Sequence, residues 1–246
     1  MEPLASARET IAAAVEEFGS SLAVLSSLQR EDVIVTDLVL KAAPGTRVLT
    51  LDTGRVAPAT NQIIDAIERR YSIRIERITP DPAEVDAMVS RHGIDLFRES
   101  VPNRMLCCEI RKSRPLAKGL AGLAGFFTGL RRAQAKSRAS IDVFDRSAES
   151  VKISPLADWT TEDVLGYTRE HSLPEHPLYA AGYTSIGCDP CTRPVVPGED
   201  ERAGRWWWES PEAVKECGLH FSADGRAERV VDVLLREVLS NTPARA

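Results

Sequence analysis

Cys107-Cys108 and Cys188-Asp189-Pro190-Cys191 supply four thiols in two close pairs, the number that a tetrahedral zinc ion or an iron-sulfur cluster takes. A Cys-x-x-Cys by itself favours zinc. The adjacent pair is unusual for zinc, because two neighbouring thiolates must bend toward one ion, and it moves the reading toward an iron-sulfur cluster. The fifth cysteine, Cys217, stands in Lys215-Glu216-Cys217-Gly218-Leu219-His220. A spare thiol beside a lysine and a histidine is a candidate nucleophile, since nearby positive charge favours the thiolate; the competing reading is an inert buried cysteine.

Between Arg104 and Arg138 lie nine basic residues, Arg104, Arg111, Lys112, Arg114, Lys118, Arg131, Arg132, Lys136 and Arg138, against one acid, Glu109. In a chain whose 31 basic and 36 acidic residues leave a net charge of -5, this concentration asks for a local anion. Arginine forks and lysine point charges suit phosphate and sulfate oxygens; a solvated helix face and nucleic acid are the alternatives. Trp206-Trp207-Trp208 could form a platform for a base, but core packing and partner docking are as consistent with them, and no catalytic role is assigned.

These groups need a scaffold, and 246 residues with 43% hydrophobic content are enough for a substantial core. Residues 3–19 read as an amphipathic helix, and Ser21 to Leu25 as a strand ending at Ser26-Ser27. A helix follows from about Glu31. Arg47 to Leu51 reads as a strand ending at Asp52-Thr53-Gly54, then a helix with Ile63, Ile64, Ile67 and Tyr71 on one face, then a strand over Ser72–Thr79. A further helix is expected from about Asp158 to Leu173, then a Pro-, Gly- and Cys-rich loop to Gly204. The stripe Val230, Val231, Leu234, Leu235, Val238, Leu239 predicts a last helix, ended by Asn241-Thr242-Pro243.

Short strands alternating with helices predict an α/β fold, a mostly parallel sheet with helices on both faces, and ligands at the carboxyl ends of its strands. Those ends carry Ser26-Ser27, Asp52 to Gly54 and, after a later strand, Thr128-Gly129-Leu130-Arg131-Arg132. The expected division is 1–204, a nucleotide- and cluster-binding domain, and 205–246, a C-terminal segment with the reactive cysteine and the last helix. Net charge argues against broad coating of nucleic acid or an anionic membrane. The lack of a spanning apolar run or export signal makes the cytoplasm the expected compartment, and the odd cysteine count argues against a disulfide framework.

With these pieces assembled, the chain resembles the sulfonucleotide reductases of assimilatory sulfate reduction, specifically the bacterial type with a four-iron, four-sulfur cluster. The resemblance runs from about Ser21 to His220. It rests on Leu51-Asp52-Thr53-Gly54, Cys107-Cys108-Glu109-Ile110-Arg111-Lys112, Thr128-Gly129-Leu130-Arg131-Arg132, Ser185-Ile186-Gly187-Cys188-Asp189-Pro190-Cys191 and Glu216-Cys217-Gly218-Leu219-His220. It implies an adenine alpha-hydrolase-like fold with Ser26, Ser27, Asp52, Thr53 and Gly129 around a nucleotide, and Cys107, Cys108, Cys188 and Cys191 on the 4Fe-4S cluster. Lys112 would lie between cluster and substrate, with Arg138, Arg202, Arg205 and His220 on the phosphosulfate. The implied reaction is thioredoxin-dependent reduction of adenosine 5'-phosphosulfate to sulfite and AMP through a Cys217 S-sulfonate, in a homo-oligomer.

The chain departs from relatives in reading SSLQRED where many carry a Ser-Gly-rich loop, and in continuing 26 residues past His220. Rival functions are reduction of the 3'-phosphorylated substrate, a noncatalytic zinc or iron-sulfur module binding RNA or a protein, and a related tRNA-thiolating or pyrophosphate-cleaving enzyme. The missing glycine-rich pyrophosphate loop weighs against the last.

Overall fold

The computed structural model describes residues 3–210 and 226–240; Cys217 and His220 lie outside them. Six strands form one sheet in the order β3-β2-β1-β4-β6-β5. The strands are β1 (Leu22–Leu25), β2 (Arg47–Leu51), β3 (Ile75–Ile78), β4 (Gly125–Phe127), β5 (Phe144–Asp145) and β6 (Val151–Ile153). All neighbours pair in parallel except β5 with β6, so the expected mostly parallel sheet is what the chain forms. The chain winds outward from β1 through β2 to β3, then returns to place β4 on the other side of β1. The crevice at the β1 and β4 carboxyl ends is therefore the topological switch point, where this architecture binds ligands.

Helices α1 (Pro3–Phe18), α2 (Arg30–Ala42), α3 (Thr60–Tyr71) and, later, α7 (Thr161–Glu170) accompany the sheet. Leu22, Val24, Phe127, Val151 and Ile153 meet Ile11, Ile34, Ile63 and Tyr167 in the main core. The other face, through Ala23, Leu25 and Leu49, packs with Leu120 and Leu123. The strand expected over Ser72–Thr79 is four residues shorter because the backbone closes α3 first. Ser72 takes a left-handed conformation (φ 54°) with its N–H on Glu68 O, and Ile73 N–H also donates to Glu68 O at 3.2 Å. Likewise α7 starts later than expected, at a Thr160–Asp163 capping box. Within α7, a Cβ at Gly166 would meet nothing within 4 Å. Gly166→Ala is therefore expected to stabilise the fold by about 0.5–1 kcal/mol, read as a higher denaturation midpoint.

Helix α4 (Pro82–His92), capped by Asp81, precedes a rod made of α5 (Val101–Cys108), a π turn (Glu109–Ser113) and α6 (Arg114–Leu120). Pro115 has no N–H for the Arg111 carbonyl four residues back, and the helix widens there. The last helix, α8 (Arg226–Ser240), packs on α5 and α4. Among the described residues no helix is long and apolar enough to cross a membrane.

Candidate active site

A cleft of about 960 Å³ opens at the switch point, within the range that encloses a nucleotide-sized ligand. Its first wall is the turn after β1. Ser26 N–H donates to Leu49 O, its hydroxyl accepts from Leu28 N–H at 3.1 Å, and Leu28 sits at φ 64°. Ser27 donates through both N–H and Oγ to one oxygen of Asp32, and Gly129 N–H donates to the other. Asp32, in the first turn of α2, thus ties the β1 turn to the β4 turn across the crevice. Burial pushes its carboxyl up, opposed by those hydrogen bonds. Gly129 leaves no room for a side chain, since a Cβ would lie 2.6 Å from the Glu31 backbone. Beside it Arg131, 1% exposed, forks onto Glu31 at 2.8 Å and 3.0 Å and donates to Trp159 O.

The second wall holds the thiols. Cys107 and Cys108 end α5, and Arg111 and Lys112 follow one turn on, so thiols and cations share a face of the rod; all four line the cleft, as do Cys188 and Cys191. Cys188 and Cys191 are joined by a 3-10 turn in which Cys191 N–H donates to Cys188 O at 2.9 Å. That turn is held to the β2 loop: Asp189 N–H donates to Arg55 O, Thr53 Oγ1 lies 3.2 Å from Cys188 Sγ, and Arg111 donates to Thr53 O at 2.9 Å. The four cysteines carry no disulfide. Burial pushes the Cys107 thiol up to about 11, against the pull of Arg111; metal binding would displace such a proton. Among the described residues no three His, Cys, Asp or Glu side chains converge on a single ion.

Ser26, Ser27, Thr53, Lys112, Gly129, Arg138, Arg202 and Arg205 all line this cleft. Asp52 does not: its carboxylate accepts from Gly54 N–H at 2.9 Å and pairs with Arg77 at 3.4 Å. Arg205 is 8% exposed, packs 4.7 Å over the Trp206 ring and fills the space a Gly187 side chain would need. Trp206 is 1% exposed beside the cysteines, while Arg98 lies over both Trp207 and Trp208.

Sequence reasoning missed Asp32, Glu31 and His176. The run SSLQRED held the signal for the acids, since two carboxylates at a helix start complement its dipole. Nothing in sequence marked His176, which is 2% exposed and lines the cleft. Its Nδ1 accepts from Leu178 N–H at 3.2 Å, so Nε2 carries the proton and donates to Thr60 Oγ1 at 3.2 Å. Burial holds its pKa below 6.5, so protons bind the unfolded chain first. The stability it contributes is complete above the unfolded value and is lost as pH falls from there through the folded value. His176→Gln is expected to flatten the fall in melting temperature below pH 6.5.

Residues 21–194 match the family model described as "phosphoadenosine phosphosulfate reductase domain". The adenosine 5'-phosphosulfate reductase of Allochromatium vinosum is 46% identical over 81% of this chain and 78% of its own length. That of Agrobacterium fabrum is 46% identical over 76% and 75%. A crystal structure of the Candida auris phosphoadenylyl-sulfate reductase, 24% identical, superposes with a TM-score of 0.63 over 75% of this chain and 88% of that one. With its cysteines, cations and the turns after β1 and β4 gathered in one cleft of the same fold, the chain belongs to the phosphoadenosine phosphosulfate reductase family.

Proposed function

We propose that this protein reduces adenosine 5'-phosphosulfate to sulfite and AMP in sulfate assimilation, with thioredoxin as reductant and a 4Fe-4S cluster on Cys107, Cys108, Cys188 and Cys191. The observation that carries the reading is the meeting, in one cleft, of four thiols, the switch-point turns at Ser27 and Gly129, and the cations Lys112, Arg138, Arg202 and Arg205. The donor set fits a cluster better than zinc. Two neighbouring thiolates such as Cys107 and Cys108 must bend toward one point to share a zinc ion, whereas four thiols in two close pairs suit an iron-sulfur cluster. Cys107 and Cys108 at the end of α5 and Cys188 and Cys191 on the 3-10 turn would hold the cluster, which would supply local charge to the cleft.

In the reaction the Cys217 thiolate attacks the sulfur of the phosphosulfate. The S–O bond breaks, and AMP leaves with the electron pair. Arg138, Arg202, Arg205 and Lys112 stabilise the charge that develops on the leaving oxygens, and His220 joins them. A thioredoxin thiolate then attacks Cys217 Sγ and expels sulfite; its second thiol resolves the mixed disulfide. The dithiol is oxidised by two electrons, and sulfur falls from the sulfate to the sulfite level.

The test is anaerobic incubation with adenosine 5'-phosphosulfate without thioredoxin. A sulfonate adduct with one AMP released, discharged as sulfite by reduced thioredoxin, supports the reading. An adduct formed only from the 3'-phosphorylated nucleotide moves the substrate assignment, and no adduct from either, in iron-loaded protein, overturns it.

The arginine cage gives a separate prediction. A Cβ at Gly187 would sit 2.4 Å from the Arg205 guanidinium carbon, so Gly187→Ala must displace that group from its position in the cleft. It is expected to raise KM for the phosphosulfate by about tenfold, as loss of one charge-assisted hydrogen bond does. Arg205→Ala should give the same loss, and the double variant no more, because both remove one interaction.

A further inference from the structure

The chain on both sides of segment 211–225, the segment that contains Cys217, is fastened to the elements bearing the four cysteines. On the upstream side, Trp206 N–H donates to Cys191 O at 3.1 Å, and Arg104, on α5 a turn before Cys107, donates to Glu209 at 2.6 Å. That ion pair is almost wholly buried, at 1% and 6% side-chain exposure, and the Arg104 guanidinium lies 4.5 Å over the Trp206 ring. On the downstream side, α8 lies against α5 and α4. Val238 is fully buried, and Leu234 and Leu235 pack with it into the apolar cluster that contains Leu106, Cys107, Ile110, Cys191 and Trp206. Arg91 of α4 adds an ion pair to Glu237 at 2.8 Å.

We infer that docking of α8 and filling of the four-cysteine centre are thermodynamically linked, so that the integrity of that centre governs how firmly the chain flanking Cys217 is held. The inference rests on the cluster reading above. Cys107 and Cys108 lie on one element and Cys188 and Cys191 on another, and iron bonded to all four would brace the two as one body. Helix α8 packs on the first element and shares an apolar cluster with the second. Without that brace the surface beneath α8 is free to shift, and close-packed apolar contacts weaken steeply with small displacements. Linkage runs both ways: whatever factor the centre adds to α8 docking, α8 docking adds to metal retention. A protein that lost its cluster would then loosen its hold on the reactive segment without unfolding its nucleotide fold, because α1, α2 and α7 pack in the main core away from this cluster.

The experiment compares hydrogen exchange of the full-length, anaerobically purified, iron-loaded protein with the same protein stripped by a chelator. Amides of 226–240 are expected to exchange about tenfold faster after stripping, while those of α7 do not change. In the reciprocal measurement, Val238→Ala should release iron to the chelator about tenfold faster than wild type. Val233→Ala, at a position 52% exposed on the same helix, should release it at the wild-type rate. Unchanged α8 exchange in a protein proven to lose iron overturns the linkage alone, as does wild-type iron retention in Val238→Ala. A parallel rise in α7 exchange overturns it by showing global loosening. Protein that never binds iron overturns the cluster reading and the linkage together.

Discussion

Replacing Cys217 by serine is expected to lower turnover by at least about 10,000-fold, the scale seen when an enzyme loses its nucleophile. Two independent chemical reasons lead there. A serine hydroxyl is essentially un-ionised at neutral pH, whereas an ordinary thiol already carries a small thiolate fraction there. And if the hydroxyl did attack, the product would be a sulfate ester, which has no S–S bond for a thioredoxin thiolate to cleave. The first half-reaction would slow, and the second could not occur. Because Cys217 is not one of the four cysteines proposed to hold the cluster, Cys217→Ser should keep its iron and its affinity for AMP. Intact mass after exposure to the phosphosulfate, read beside iron content, checks the prediction. An adduct on the serine variant equal to that on wild type would remove Cys217 from the mechanism; loss of iron along with the adduct would place it at the metal centre.

How much of this was legible in sequence depends on the length scale that carries the information. The strands at Leu22–Leu25 and Arg47–Leu51 and the helix bearing Ile63, Ile64 and Ile67 stood out because each buries a regular pattern. The alternation over Ser72–Thr79 misled, since the residues that close α3 can alternate as a strand does. The sequence marks the rod from Val101 to Leu120 by its cysteine pair and its basic residues and not as a helix: Pro115 interrupts its helical period, and its buried face mixes Arg104, Cys107 and Arg111 with Met105, Leu106, Ile110 and Leu116. The four cysteines were legible by spacing, and their common wall agrees with that spacing. Asp52 shows what sequence leaves open. Its position after β2 marks it as an expected ligand contact, while the partners its carboxylate takes, Gly54 N–H and Arg77, depend on a turn conformation that sequence does not fix. Asp32 is the converse, a residue ordinary in sequence whose partners Ser27 and Gly129 arrive from two different strand ends.

That convergence makes Gly129 the position where the smallest change should do the most structural damage. The added methyl of Gly129→Ala would fall 2.6 Å from the Glu31 carbonyl carbon and Cβ and 2.7 Å from the Asp32 nitrogen. These are atoms at or beside the backbone of the first turn of α2, and no side-chain rotation relieves them. Either α2 or the turn after β4 must move, which breaks the Gly129 N–H bond to Asp32 and pulls that carboxylate off Ser27. Overpacking costs about 1–3 kcal/mol and a lost hydrogen bond to a buried carboxylate about 1.5–3 more. The sum is a large share of the stability of a typical domain. The same displacement separates the two turns between which the nucleotide would lie, so AMP affinity should fall by about 100-fold or more, beyond any loss from unfolded protein. Denaturant titration and AMP calorimetry on one preparation test both halves. The contrast with Gly166→Ala, the same chemical change where nothing lies within 4 Å, assigns the effect to this contact. Equal stability of the two variants would mean that the β1 and β4 turns are not held through Asp32, and that the crevice owes its shape to the sheet alone.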